Sequence, residues 1–291
     1  MTDKITARLL DIPVVGPGSQ PLDEEEAALD FFGSPGEMPT FEAPVLPEPE
    51  AVEGLDAALE MMAGVLQALE ACQSGEAGAS FDLAALDAAN LDLVNQMLNE
   101  GEVSIVCEGD EPVQIQESVL TGVWRLRSTT ADGVVSDRIE VADIPSVVRA
   151  RAFAGHTPLD TDFSRLPEGV VNAPAILVEL AEKMAARLPG QPPHVVNLTL
   201  LPLSPEDLLF LGERLGVGPV TILSRGYGNC RIGSTAKNNI WWVKYFNSDD
   251  ALILNTIEVV EVPEVARAAP EDLRDSAHRL REMLELYRRE G

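Results

Sequence analysis

The chain has 291 residues, enough for one or two domains, and 45% of them are hydrophobic, which is sufficient for a real core. Against 48 acidic residues stand only 21 basic ones, a formal net charge of −27. Such a chain repels nucleic acid and anionic membrane and favours a basic peptide or protein surface. Its three cysteines, Cys72, Cys107 and Cys230, are odd in number, widely spaced and never in a CxxC pair. That argues for a reducing compartment, without a disulfide framework or structural zinc. The N-terminus shows no basic region followed by an apolar core, and no apolar run approaches membrane-spanning length. The expectation is a cytoplasmic, soluble protein without membrane insertion.

Residues 1–53 hold turn formers and acids: Gly16-Pro17-Gly18, Asp23-Glu24-Glu25-Glu26, then Pro35, Pro39, Pro44, Pro47 and Pro49. Prolines at that density oppose helix and strand ladders, so this acidic arm is expected to be partly disordered. Phe31 and Phe32 follow the acids and offer apolar contact beside negative charge, which makes them candidate partner contacts.

Apolar residues at helical spacing predict helices over 55–72 and 83–98, then over 173–188 and from Ser204 to Leu215. Pro174 suits a first turn, and Ser204-Pro205-Glu206-Asp207 combines a cap, a proline and first-turn acids. Residues 194–200 alternate and read as a short strand. A last helix opens at Pro270 and runs to about Arg289, with Leu273, Ala277, Leu280, Leu284 and Tyr287 on one stripe.

Between these helices lies a duplication. Gly101-Glu102-Val103-Ser104-Ile105-Val106 aligns with Gly218-Pro219-Val220-Thr221-Ile222-Leu223, 117 positions on, and the same offset matches Trp124 to Trp241. After one inserted residue, Ile139-Glu140-Val141-Ala142-Asp143-Ile144-Pro145 lands on Ile257-Glu258-Val259-Val260-Glu261-Val262-Pro263. The insertion falls in a turn, where a hairpin tolerates a length change. The expected fold is therefore α+β: two similar half-domains, 54–155 and 156–291, each with helices on a mainly antiparallel sheet, plus a C-terminal helix.

The two copies report on each other. Trp124/Trp241 and Leu126/Val243 are apolar in both and read as core, whereas Trp242 stands where the other copy carries Arg125. An aromatic on a face that tolerates charge is a candidate contact, the alternative being that the second copy buries both faces under a helix. Cys230 has Val113 as its counterpart and reads as a small buried hydrophobe. Ser224-Arg225-Gly226-Tyr227-Gly228-Asn229 replaces the acidic Cys107-Glu108-Gly109-Asp110-Glu111-Pro112, and Arg225, Tyr227 and Asn229 become candidate partner contacts.

The sequence carries no motif for catalytic or metal chemistry. His156, His194 and His278 are not at metal-ligand spacing, there is no nucleophile elbow or HExxH, and Gly226-Tyr227-Gly228 lacks the third glycine and following helix of a phosphate loop. No catalytic residue, metal or cofactor is expected.

Gly16-Pro17-Gly18-Ser19-Gln20-Pro21, Gly122-Val123-Trp124-Arg125, Leu198-Thr199-Leu200-Leu201-Pro202-Leu203-Ser204, Gly226-Tyr227-Gly228 and Asp275-Ser276-Ala277-His278-Arg279-Leu280 carry a resemblance. In their order they resemble the HupH/HoxQ/HyaF family of nickel–iron hydrogenase expression and formation proteins. The resemblance implies a non-catalytic, chaperone-like accessory protein. Its implied partners are the iron–sulfur small subunit precursor, before export, and other hydrogenase accessory proteins. The alternatives are a redox or cluster-carrying assembly factor using Cys107 and Cys230, and a regulatory protein-binding module.

Overall fold

The computed structural model describes residues 47–73, 78–130, 132–225 and 229–288. The first half comprises α1 (Asp56–Gln73), β1 (Ser80–Asp82), a 3-10 turn (Leu83–Ala85), α2 (Ala88–Leu98), then β2 (Val103–Cys107), β3 (Val113–Glu117), β4 (Val123–Thr129) and β5 (Val135–Val141), closed by α3 (Ser146–Arg151). The second repeats the order with α4 (Ala173–Ala186), β6 (His194–Asn197), a 3-10 turn (Leu198–Leu200), α5 (Pro205–Leu215), β7 (Val220–Ser224), β8 (Asn229–Ser234), β9 (Ile240–Phe246) and β10 (Leu252–Val259). A 3-10 turn (Glu264–Ala266) stands in the place of α3, and α6 (Pro270–Arg288) follows.

Local chemistry sets these boundaries. The predicted helix 83–98 splits because Asp82 caps the turn at Leu83 and Asp87 caps α2, accepting from Asn90 N at 2.9 Å. The strand expected over 194–200 stops at Asn197, whose side chain accepts from Thr199 N and starts a turn instead. Ser204 and Asp207 form the full capping box at α5. The arm expected up to residue 53 is ordered at its end: Pro49–Val52 form a 3-10 turn and Val52 is buried. Phe31, Phe32 and the rest of that arm before Pro47 lie outside the described residues.

The ten strands form one antiparallel sheet in the order β1-β5-β4-β3-β2-β7-β8-β9-β10-β6. Its centre is the β2–β7 pair, in which Ile105 lies opposite Ile222. These two are each other's counterparts in the duplication, so a pseudo-twofold axis runs through the sheet between them. The outer strands obey the same symmetry: Phe81 pairs with Ile139 as Val196 pairs with Ile257.

Apart from α3, whose Val148 lies in the central core, the helices lie on one face of the sheet, with Leu93, Met97 and Val123 in the first half and Leu177, Leu211 and Trp242 in the second. The opposite face holds the central core around Ile105, Ile222, Trp124 and Trp241. Both tryptophans are fully buried, and each indole N–H donates to a carbonyl at 3.0 Å, Ala142 for Trp124 and Glu261 for Trp241. The paired apolar positions thus meet the same environment, as the duplication implied.

The C-terminal helix departs from the sequence partition. Assigned to the second repeat by position, α6 packs on the first: Leu273, Ala277, Leu280 and Leu284 share a cluster with Leu59, Met62 and Leu66 of α1. The chain crosses where Ala268 N donates to Asp143 O. The crossing is reciprocal, for Thr157 N donates to Ala236 O in the second half. An apolar stripe on a helix must be buried somewhere, and the uncovered face of α1 supplies the place.

Candidate partner-binding site

Since neighbouring strands run antiparallel, the ends of β7, β9 and β6 and the starts of β8 and β10 all meet at one rim of the second half. Arg225 follows β7 there, its backbone N–H donating to Glu102 O at 3.0 Å. Asn229 opens β8 and its Nδ2 donates to Asp250 Oδ1 at 3.0 Å, joining the β7–β8 and β9–β10 tips. Tyr227, between them in sequence, lies outside the described residues. Two of the candidate contacts therefore sit at one rim.

Sequence reasoning passed over Asp250 as the partner of Asn229. The signal was present in the insertion: Asn247-Ser248-Asp249-Asp250 lengthens this hairpin by one residue, Asn247 Oδ1 accepts from Asp249 N and Ala251 N, and Asp250 takes a positive φ of 54°. Next to this tip the Arg231 guanidinium lies 4.9 Å from the Phe246 ring centroid.

Trp242 is a correction. Its side chain is 5% exposed, packed against α4 and α5, and its Nε1 donates to Asn255 Oδ1 at 2.6 Å. The second half buries both faces at this point, so Trp242 contributes packing and offers no surface to a partner. Its counterpart Arg125 tolerates charge because it stands at the helix margin with Asp137 and Asn95 as partners.

The cysteines do not assemble a site. Cys107 pairs with Val220 and Cys230 with Ser224, four residues further along β7, which separates them by roughly 13 Å along the strand direction. That distance is well beyond disulfide reach. Burial pushes the Cys107 thiol up to about 11 and the Cys230 thiol to about 12, the latter also raised by Glu258. Both side chains are buried hydrophobes at neutral pH, opposite to the exposed, low-pKa setting of a reactive thiol. Among the described residues, no group of three or more His, Cys, Asp or Glu is placed to hold a metal ion.

One titratable group was missed. Glu117, at the end of β3, is 6% exposed and accepts from Gly122 N at 3.2 Å. Burial raises its carboxyl to about 7, against the help of that hydrogen bond, and Glu102 and Asp272 add to the rise. Its counterpart is Ser234, and this exchange of a polar residue for a carboxyl was the available signal. Gly122 lies directly under α6: a Cβ there would come within 2.2 Å of Leu273 Cδ2.

The family model described as "HupH hydrogenase expression protein, C-terminal conserved region" matches residues 55–153 and 170–287, one segment in each half. The Hydrogenase expression/formation protein HoxQ of Cupriavidus necator is 50% identical over 275 residues, 94% of this chain and 96% of that protein. The protein HupH of Rhodobacter capsulatus, with the same description, is 48% identical and covers 94% and 96%. The Hydrogenase-1 operon protein HyaF of Escherichia coli K12 is 34% identical over 69% of this chain and 71% of its own. A solved structure, the hydrogenase expression protein HupH from Thiobacillus denitrificans ATCC 25259, matches at a TM-score of 0.37 and 30% identity, covering 39% of this chain and 95% of that one. No helix among the described residues is long and apolar enough to cross a membrane.

Proposed function

The chain belongs to the family of HupH hydrogenase expression proteins, and from that premise we propose that it is a non-catalytic accessory protein of hydrogenase maturation. It binds the iron–sulfur small subunit or its precursor in the cytoplasm before export. One observation carries this reading: relatives alike over 94% of the chain at about half identity are named hydrogenase expression/formation proteins. The duplicated architecture supports it. The acidic tip at Glu108, Asp110 and Glu111 has become a tip with Arg225, Tyr227 and Asn229, residue types favoured at interface centres. The charge of −27 favours a basic client and speeds its encounter. Phe31 and Phe32 of the arm, beside Asp23-Glu24-Glu25-Glu26, are proposed as a second point of contact.

The test is a pull-down with the tagged full chain from hydrogenase-expressing cells, with mass-spectrometric identification of what is bound. The small subunit precursor is expected in the wild-type eluate and reduced with Arg225→Ala and Asn229→Ala at unchanged melting temperature. An eluate without any hydrogenase subunit overturns the reading. Loss of the melting transition in those variants assigns the two residues to packing.

A further inference from the structure

The rim that carries Arg225 and Asn229 also carries apolar side chains. Ile253 is 57% exposed and Leu252 44% at the start of β10, and beyond the end of β6 Leu200 is 79% exposed and Leu201 39%. Asn255 N donates to Thr199 Oγ1 at 2.7 Å, which ties Leu200 to a point two residues from Ile253. Asn172 Nδ2 donates to Pro202 O at 2.7 Å and brings Val171, 73% exposed, next to the same turn. Large exposed apolar side chains at one sheet end are unusual in a chain with 48 acidic residues, and such patches mark interaction surfaces.

The first half is the internal reference. At the positions of Val171 and Leu200 it has Asp56 and Ala85, and Leu86, at the position of Leu201, is half-buried. Only the hairpin pair is shared, as Val134 and Val135. Side chains this exposed add little to the packing of their own half, so the apolar gain at the second rim serves something other than the fold. Exposed carboxylates stand beside these side chains: Asp249 and Asp250 in the hairpin that leads into Leu252, and Glu168 and Glu206 near Val171, where Glu206 lies against Gly169 and Val171 N donates to Asp207.

We infer that this rim docks an apolar protein segment bounded by basic residues. The apolar stretch lies on Leu200, Leu201, Leu252 and Ile253, and the flanking cations face the four carboxylates. The inference deepens the functional reading above and rests on it only for the identity of the natural partner.

The experiment uses the full chain and a fluorescein-labelled peptide, Lys-Lys-Leu-Ala-Leu-Ala-Leu-Ala-Leu-Lys-Lys, read by fluorescence anisotropy. A peptide with glutamates in place of the lysines is the charge control. Leu200→Ser and Ile253→Ser, both exposed, are each expected to weaken binding at least tenfold with unchanged melting temperature. Val134→Ser in the first half is expected to leave binding unchanged. Binding should also fall as salt rises past physiological strength, where screening acts over about 8 Å. Rim variants that bind like wild type, equal loss in Val134→Ser, or equal binding of the glutamate-flanked peptide would each overturn the inference. Should the precursor co-purify equally with wild type and both rim variants, this inference fails while the maturation role stands. If the wild type captures no hydrogenase subunit, the maturation role fails and the peptide titration still decides the rim.

Discussion

Trp242 donates its indole N–H to Asn255 Oδ1 at 2.6 Å, at the two positions where the first half holds Arg125 and Asp137 in a two-pronged ion pair of 2.8 and 2.7 Å. The helix residue that reaches the cation in the first half, Asn95, has become Gly212. Duplication has thus exchanged a charged, half-exposed arrangement for a neutral, buried one on the same backbone. Each keeps its donors and acceptors matched, as burial demands.

Removing Trp242 should therefore cost folding stability. Trp242→Ala is expected to lower it by about 3–5 kcal/mol, and Asn255→Leu by about 1–3 kcal/mol because the indole N–H is left unsatisfied in the interior. Urea denaturation of the full chain measures both. A change below about 0.5 kcal/mol for Trp242→Ala, the scale of ordinary surface substitutions, would contradict the buried assignment.

The ion pair in the first half predicts an acid response. Burial alone would raise the Asp137 carboxyl, but hydrogen bonds and charge from Arg125 and Arg127 hold it below the ordinary carboxylate range. A depressed folded pKa adds stability above the unfolded value and loses it as pH falls through the folded value. Asp137→Asn should accordingly be less stable than wild type at pH 7 and converge with it at strongly acidic pH. Parallel stability curves would refute the coupling.

Glu117 works in the opposite direction. With a folded pKa of about 7 against 4.5 for an unperturbed group, the protonated carboxyl is favoured in the fold. The stability this brings is complete below pH 4.5 and is lost as pH rises through 7. The interval corresponds to roughly 3 kcal/mol. Glu117→Gln, which cannot ionise, should gain on wild type between pH 5 and pH 8 in thermal melts. The gain should be largest near α6, seen as greater amide protection of Leu273 and Ala277. A wild-type-minus-variant difference that does not change with pH would remove the buried carboxyl from the account.

Asp207 ties the start of α4 to α5. Its Oδ1 accepts from the backbone N–H groups of Val171, Asn172 and Ala173 at 2.8, 2.9 and 2.9 Å, and Asn90 takes the matching role toward Ala58. Asp207→Ala is expected to cost about 2 kcal/mol or more, since three donors and a capping box lose their acceptor. Asn90→Ala should cost less, about 1 kcal/mol, because one donor is affected. Equal losses would mean that the extra bonds contribute nothing.

The sequence by itself determined the duplication, the α+β class and the core positions Trp124/Trp241 and Leu126/Val243. These are local properties: periods of two and of 3.6, capping residues and turn formers act over a few residues, and two copies of each pattern cancel chance. Trp124 and Trp241 were legible for that reason. Tertiary structure alone decided three matters. The halves share one sheet because the edges of β2 and β7 satisfy each other's backbone groups, a pairing that side-chain patterns do not encode. The last helix lies on the first half because the open face of α1 was the apolar surface available to its stripe. Trp242 is interior because α4 and α5 cover its face, whereas Leu200 and Ile253 are exposed because none of the described elements covers the rim. Burial depends on what packs above a residue, and that is settled by elements far away in the chain.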